Sequence, residues 1–462
     1  METKFVSDLS METKVLGYIV VALIIGLVIG YPIGTMAAPT KVERVEVEVP
    51  VEVHPLEGKT IWLGHIGASV TGMEWEEPTI EIALEDVNNY CKSIGLNVTF
   101  KAYIECAEGS AVKALEKMQS LYAKGVRFIT GMRWSSHCKA CLEYANDNDI
   151  IMISDGSTSP KIAIPEDNLF RLAPTDLLQG PAMARMLWDY GIRAVAVLQR
   201  ADDWGDGLYA AFKERFEELG GTIIEYIRYD PEKTEFSAEV SAINDAITQA
   251  IQTYGQNAVT VEVIGFEEIS IIQATAKDYP SLMSIPWFGN DGYVRSTRLL
   301  EEQPDTALAG RHFSTYAGVT KSEVYERFKE KFLPKVGYIP GTYACYLYDS
   351  IWIFAKAILE TGSTDPKVVK EAIPRVAASY FGASGWCNLN EDGDRAVSIY
   401  NIWAVYDPGE LPNPEDYEWL YGPGAEQYGP GKPNWVLAGV YDPLSDSVSW
   451  FVSIPAKVGL GS

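Results

Sequence analysis

The feature that most constrains this chain is a repeated alternation of short apolar runs with segments of helical spacing. Ile61 to Ile66, Asn97 to Tyr103, Val126 to Thr130 and Ile150 to Ile153 read as strands, separated by amphipathic helices over Thr79 to Lys92, Ser110 to Ala123 and Cys138 to Asn148. A second series begins at Thr175. Its helices (Gln179 to Asp189, Gly207 to Leu219, Ser237 to Gln252, Glu267 to Lys277) alternate with strands Ala194 to Leu198, Thr222 to Tyr226, Ala258 to Ile264 and Ile285 to Phe288. Strands joined through helices lie parallel and are covered on both faces, so two such series predict two doubly wound parallel-sheet lobes of an α/β protein. Helices over Lys321 to Phe332, Thr342 to Leu359 and Pro366 to Val376 follow, then a strand from Ala396 to Tyr406. The tail from Asp407 to Trp450, rich in Pro, Gly, Tyr and Trp, predicts ordered loops.

In open α/β sheets ligands bind beyond the carboxyl ends of the strands. The loops that matter are therefore those just after the strands: Gly67 to Trp75, Gly131 to Ser136, Ser154 to Pro160, Asp202 to Trp204, Phe266 and Asn290-Asp291. Gly131-Met132-Arg133-Trp134-Ser135-Ser136 and Ser154-Asp155-Gly156-Ser157-Thr158-Ser159-Pro160 end consecutive strands and leave backbone N–H groups uncovered. A helix beginning after Ser135 aims its unpaired amides and positive dipole end at whatever lies in front, which suits a carboxylate. The structural alternative is that Ser135, Ser136, Ser157 and Thr158 only cap and turn the chain. Arg133 beside Ser135 reads either as the holder of a second carboxylate or as a surface arginine at a strand end.

A chain of 462 residues is too long for one core. Its formal net charge of −25 argues against nucleic acid or an anionic membrane surface as partner. After a short segment at 1–14, residues 15–36 form an uncharged, mostly apolar run about as long as a bilayer is thick, read as a membrane helix or, alternatively, a cleaved signal peptide. Either reading places the body outside the cell. The alternation of valine with charge in 37–58 predicts an extended tether. Six cysteines suit an exported protein with bridges. Cys138-Lys139-Ala140-Cys141 has no second pair at metal spacing, so no metal and no cofactor is expected. A hydrolase built on Ser135, His137 and Asp155 is a weak rival, because no Gly-x-Ser-x-Gly elbow is present.

With this order of elements, Gly67-Ala68, Gly131 to Ser136, Ile150 to Pro160, Arg171 with Gly180-Pro181, Trp204-Gly205-Asp206-Gly207, Gly289-Asn290-Asp291-Gly292 and Thr342-Tyr343-Ala344 together make Lys59 to Tyr406 resemble the extracytoplasmic leucine/isoleucine/valine-binding proteins of ABC transporters, with the type 1 periplasmic binding fold. The resemblance implies lobe 1 from 59–172 plus 305–385, lobe 2 from 173–304 plus 390–410, and an extension at 411–462. It implies a three-crossing hinge near Arg171 to Thr175, Glu301 to Gly310 and Gly385 to Val397. Ser135 would hold a ligand carboxylate, Gly156 would offer its carbonyl to an ammonium, Thr158 would touch both ends, and Asp291, shortened from the family's common glutamate, would pair with the ammonium. Trp204 and Phe266 stand where relatives often have tyrosines, and Trp75 lies near another aromatic wall. The resemblance also implies a disulfide between Cys106 and Cys138, with Cys141 as rival partner; Cys345 with Cys387 is a second pairing, leaving Cys91 and Cys141 paired or free. The implied protein is a monomeric binder of a branched-chain or other apolar or aromatic amino acid, anchored to the cell membrane and serving an ABC permease. The alternatives are a membrane-anchored sensing ectodomain and a binder of amides or urea-like solutes.

Overall fold

Two sheets organise the chain, and each strand run that alternates with a helix joins one of them. The computed structural model describes residues 53–421 and 432–454. The expected membrane helix at 15–36 and most of the tether lie outside those residues; among the described residues no helix is long and apolar enough to cross a membrane. From His54 on, the chain forms one compact unit.

The first sheet has the order β13-β5-β4-β3-β1-β2, with every neighbouring pair parallel. Its strands are β1 (Thr60–Gly67), β2 (Thr99–Cys106), β3 (Phe128–Gly131), β4 (Ile151–Ser154), β5 (Leu169–Pro174) and, from far along the chain, β13 (Asp394–Arg395). Helices α1 (Met73–Ser93), α2 (Ala111–Ala123) and α3 (Ser135–Asp147) connect the first four. β3 and β4 are buried along their whole length, as central parallel strands covered on both faces must be.

After β5 the chain crosses through α4 (Asp176–Tyr190) into the second sheet, whose order is β16-β15-β14-β10-β9-β8-β6-β7. Strands β6 (Ala194–Arg200), β7 (Thr222–Tyr229), β8 (Val259–Ile264), β9 (Trp287–Gly289) and β10 (Phe313–Ala317) are parallel, linked through α5 (Asp203–Glu218), α6 (Ser237–Tyr254), α7 (Glu268–Ala276) and the shorter α8 (Pro280–Met283), α9 (Thr297–Glu302) and α10 (Pro304–Gly310). The chain then returns to the first sheet's core. There α11 (Glu323–Val336), α12 (Thr342–Thr361) and α13 (Pro366–Ser379) contribute Phe328, Phe354 and Ile373 to a cluster shared with Ile80, Phe128 and Ile153. A small ribbon of β11 (Phe381–Gly382) and β12 (Gly385–Trp386) precedes β13, and β14 (Tyr400–Tyr406) re-enters the second sheet.

Three expectations change. The second sheet is mixed, because β14, β15 (Asn434–Asp442) and β16 (Ser447–Trp450) run antiparallel; the tail expected to be loops contains a hairpin that seals one edge. β10 pairs with β9, so residues 313–317 belong with the second sheet, and the second crossing follows Ala317 instead of lying at 301–310. β13 pairs with β5, so Asp394 and Arg395, counted with lobe 2 above, belong to the first sheet.

The disulfides are also overturned: all six cysteines are free thiols. Cys138 turns inward from α3, its Sγ donating to the Met132 carbonyl at 3.1 Å, and packs with Met118, Ile129 and Met152 beneath the sheet. Cys106 at the end of β2 instead accepts from the Glu108 amide at 3.3 Å. Cys387 is engaged by Asp349 and the Gly385 carbonyl. Burial pushes the thiols of Cys138, Cys141 and Cys387 up to about 11, 12 and 12, which leaves them without thiolate at neutral pH.

Candidate functional site

The loops at the carboxyl ends of the first sheet meet those of the second, and the interlocking residues come from both. Gly131 makes the first loop possible. Its φ is +94°, and a Cβ there would stand 2.5 Å from the Ile66 carbonyl, so the backbone can turn out of β3 only without a side chain. Met132 continues the turn with φ +50° and buries its side chain, which delivers Arg133, Trp134 and Ser135 to the seam. α3 starts at Ser135 with no side-chain cap.

The second loop is fixed from behind. Arg171 on β5, fully buried, makes a two-pronged ion pair with Asp394 of β13 at 2.5 and 2.6 Å and donates to the Ser159 carbonyl at 2.8 Å. Ser135 Oγ accepts from the Ser159 amide at 3.1 Å and so ties the two loops together. Thr158 presents its carbonyl to the Asp176 amide, which begins α4. Among the described residues, its hydroxyl and that of Ser157 are buried without a partner, as are both oxygens of Asp176.

From the other sheet, Asn290 donates to the Val263 carbonyl at 2.9 Å and accepts from the Gly292 amide at 3.0 Å, which places Asp291 between them. Asp291 accepts a hydrogen bond from the Tyr343 hydroxyl, while its other oxygen is buried and, among the described residues, unpaired. Burial raises the Asp291 carboxyl above its ordinary range; burial, and then the neighbouring Asp291, raise Asp176 further still. Phe266 stacks between Trp204 (centroids 4.7 Å) and, across the seam, Trp134 (5.1 Å). Trp75 lies against the Arg133 guanidinium, 4.9 Å from its ring centroid.

All seven candidate ligand-binding residues therefore fall along one seam. Ser135, Gly156, Thr158 and Trp75 come from the first sheet's loops, and Trp204, Phe266 and Asp291 from the second's. Of the two readings of Arg133, the surface one does not hold: its side chain is only 18% exposed and lies between Trp75 and Tyr343. Sequence reading missed the roles of Trp134, Tyr343 and Asp176. It also missed a buried cluster in which His65 Nε2 meets Glu76 Oε2 at 3.1 Å and Glu76 faces Arg133 at 3.9 Å. The signal for Glu76 is its position next to Trp75, at the end of a loop already singled out.

Asp155 belongs to the same cluster. It is fully buried, neither carboxyl oxygen has a partner among the described residues, and burial followed by the charge of Glu76 pushes it up to about 6. A carboxyl raised in the folded state holds its proton longer than the unfolded chain does, so stability falls as pH rises through the window from about 4 to about 6. Relative to Asp155→Asn, the wild type should lose roughly 2 kcal/mol of unfolding free energy between pH 4 and pH 7, read from urea denaturation at each pH. Equal pH slopes in the two proteins would rule this out.

The hydrolase arrangement is not assembled. Ser135 Oγ is engaged by the Ser159 amide, neither nitrogen of His137 has a partner among the described residues, and burial lowers His137 to about 4. Across the mouth of the seam, Asp203 at the start of α5 pairs with Lys139 and, at 2.9 Å, with Lys161, while the Ser159 hydroxyl donates to the Asp203 carbonyl at 3.1 Å. These side chains are partly exposed and screened, so the ion cluster adds little. Asp203→Ala should weaken ligand binding about two- to fivefold in low salt and leave it nearly unchanged in 1 M NaCl.

The profile of the receptor family ligand-binding region matches residues 76–407. An uncharacterized protein of Methanocaldococcus jannaschii is 31% identical over 394 residues, covering 81% of this chain and 87% of its own. A leucine-, isoleucine-, valine-, threonine- and alanine-binding protein of Pseudomonas aeruginosa is 22% identical over 318 residues, covering 68% and 80%. Among solved structures, a leucine-binding protein from Thermotoga maritima superposes with a TM-score of 0.64 at 22% identity, covering 79% of this chain and 99% of its own. A branched-chain amino acid transporter substrate-binding protein from Streptococcus pneumoniae, in complex with isoleucine, gives 0.63 at 18% identity, covering 74% and 95%. The family, the Pseudomonas relative and both solved neighbours are binding proteins, not enzymes. With a profile matching well over half its length, this chain belongs to the receptor family ligand-binding region and has the α/β fold of the type 1 periplasmic binding proteins.

Proposed function

We propose that the protein is the extracellular substrate-binding component of an ABC uptake transporter and captures a small amino acid-like zwitterion by closing two lobes about a hinge. The observation that carries this is the pairing of opposite chemistries across one seam. Hydroxyls and the uncapped start of α3 stand on one side, at Ser135 and Thr158. An unpaired, buried carboxylate oxygen of Asp291 stands on the other. The carboxylate of the ligand lies against the first set, and its ammonium lies between Asp291 and the Gly156 carbonyl. Trp75, Trp204 and Phe266 wall its side chain. A dipolar guest touching both sides stabilises only the closed arrangement, which the permease then recognises. The chain acts as a monomer held to the cell membrane by residues 15–36. The leucine- and isoleucine-binding relatives support the amino acid part of this reading. Mass spectrometry of small molecules that co-purify with the full-length protein, followed by calorimetry with the common amino acids, tests it; a protein that carries none and binds none overturns it.

A further inference from the structure

The Arg133 guanidinium is the most conspicuous polar group of the seam that the proposed zwitterion contacts leave unused. Its stem lies across Gly156, where an added Cβ would come within 2.1 Å of Arg133 Cγ, so Arg133 stands directly beside the residue whose carbonyl faces the ligand. The guanidinium rests against Trp75 at 4.9 Å and Tyr343 at 5.9 Å. Among the described residues it makes no hydrogen bond; its one charged contact, with Glu76 Oε1 at 3.9 Å, is too long to be one. Five N–H donors are thus available at the inner wall of the seam. A matching acceptor faces them at 3.9 Å, Glu76 Oε1, which like both oxygens of the nearby Asp155 is buried and unpaired among the described residues.

Charge decides what such a wall can take. Glu76 faces the guanidinium and the buried Asp155 lies within reach of its charge, so that charge is already countered. A ligand side chain ending in a carboxylate would add a further negative charge beside Glu76 and Asp155, and one ending in an ammonium would meet Arg133. An aliphatic end would leave both the donors and the acceptors unpaired in a space from which closure expels water. An uncharged planar group with both an acceptor and donors satisfies the two sets together. We propose that Arg133, with Glu76 and Asp155, reads a terminal carboxamide or ureido group on the ligand's side chain, so that the preferred solute is an amino acid ending in such a group and not a branched-chain one. This rests on the amino acid reading above and narrows it.

The test is calorimetric titration of the full-length protein and of Arg133→Leu with L-glutamine, L-citrulline, L-glutamate, L-leucine and L-lysine. The expected result is that glutamine or citrulline binds the wild type at least about tenfold more tightly than the other three, because a wall built for hydrogen bonds rejects ligands that cannot make them. Arg133→Leu should abolish that preference and let leucine overtake. Tighter binding of leucine, glutamate or lysine to the wild type overturns the inference, as does an unchanged ranking in Arg133→Leu. If the variant does not fold, the wild-type ranking decides alone. Binding of any of the five that is lost in Asp291→Asn, with the wrong ranking, removes this inference and leaves the amino acid reading standing; no binding of any of the five removes this inference, and the amino acid reading falls with it only when the remaining common amino acids also fail to bind.

Discussion

Asp291→Asn should weaken binding of the cognate amino acid on the order of 100-fold, about 3 kcal/mol, because truncating one partner of a buried charge pair strands the other without water or counterion. Asparagine is the informative substitution. It keeps the size of the side chain and an oxygen to accept the Tyr343 hydroxyl, so the loop after β9 stays in place and only the charge is removed. The pH dependence should separate the two proteins further. Burial raises the Asp291 carboxyl, so acidification protonates it before an exposed aspartate would titrate, and the ammonium loses its partner. Wild-type affinity should therefore fall as pH drops below neutral, whereas the weak binding of the variant should stay level. Titration at pH 7.5, 6.5 and 5.5 reads both effects, and a variant within about threefold of the wild type would falsify the ammonium role of this carboxylate.

Much of this site was legible in the sequence because the fold itself makes it so. Strands that feed helices present their following loops to one end of a sheet, and reading each loop after each apolar run selected the stretches that hold Ser135, Thr158, Trp204, Phe266 and Asp291, whose individual roles only the family resemblance implied. What could not be read depends on partners far away in the chain. His65, Glu76, Arg133 and Asp155 come together because β1 lies beside β3 and β3 beside β4, a strand order that no local pattern states. The C-terminal hairpin was hidden for a related reason. Asn434 to Asp442 looked like a stretch between Pro- and Gly-rich turns, and it becomes a strand by pairing with β14 along seven residues. The disulfide implied by the resemblance failed on direction: matching positions in relatives says nothing about Cys138 pointing beneath the sheet, into a cluster with Met118 and Met152.

The largest effect on stability should come from the pair that clamps the third crossing. Arg171 and Asp394 are almost completely buried, joined at 2.5 and 2.6 Å, and contributed by strands more than two hundred residues apart in the chain. Asp394→Ala leaves a guanidinium in a low-dielectric interior with only carbonyls for company and should cost about 3–5 kcal/mol. The cost should be much smaller when both members are replaced by apolar residues of similar size, as in Arg171→Met with Asp394→Leu, because the expense lies in the stranded charge and not in the loss of a strong attraction. A second effect follows from position. Arg171 also donates to the Ser159 carbonyl, and the Ser159 amide binds Ser135 Oγ, so loosening the clamp loosens both carboxylate-facing loops at once. Asp394→Ala should therefore lower ligand affinity as well as stability, and the double replacement should recover stability while affinity stays low, since nothing then holds the Ser159 carbonyl. Urea denaturation and calorimetry on the same three proteins measure the two quantities independently; a single variant less than about 1 kcal/mol below wild type, or a double variant less stable than the single, would show that the ion pair is not what holds this crossing.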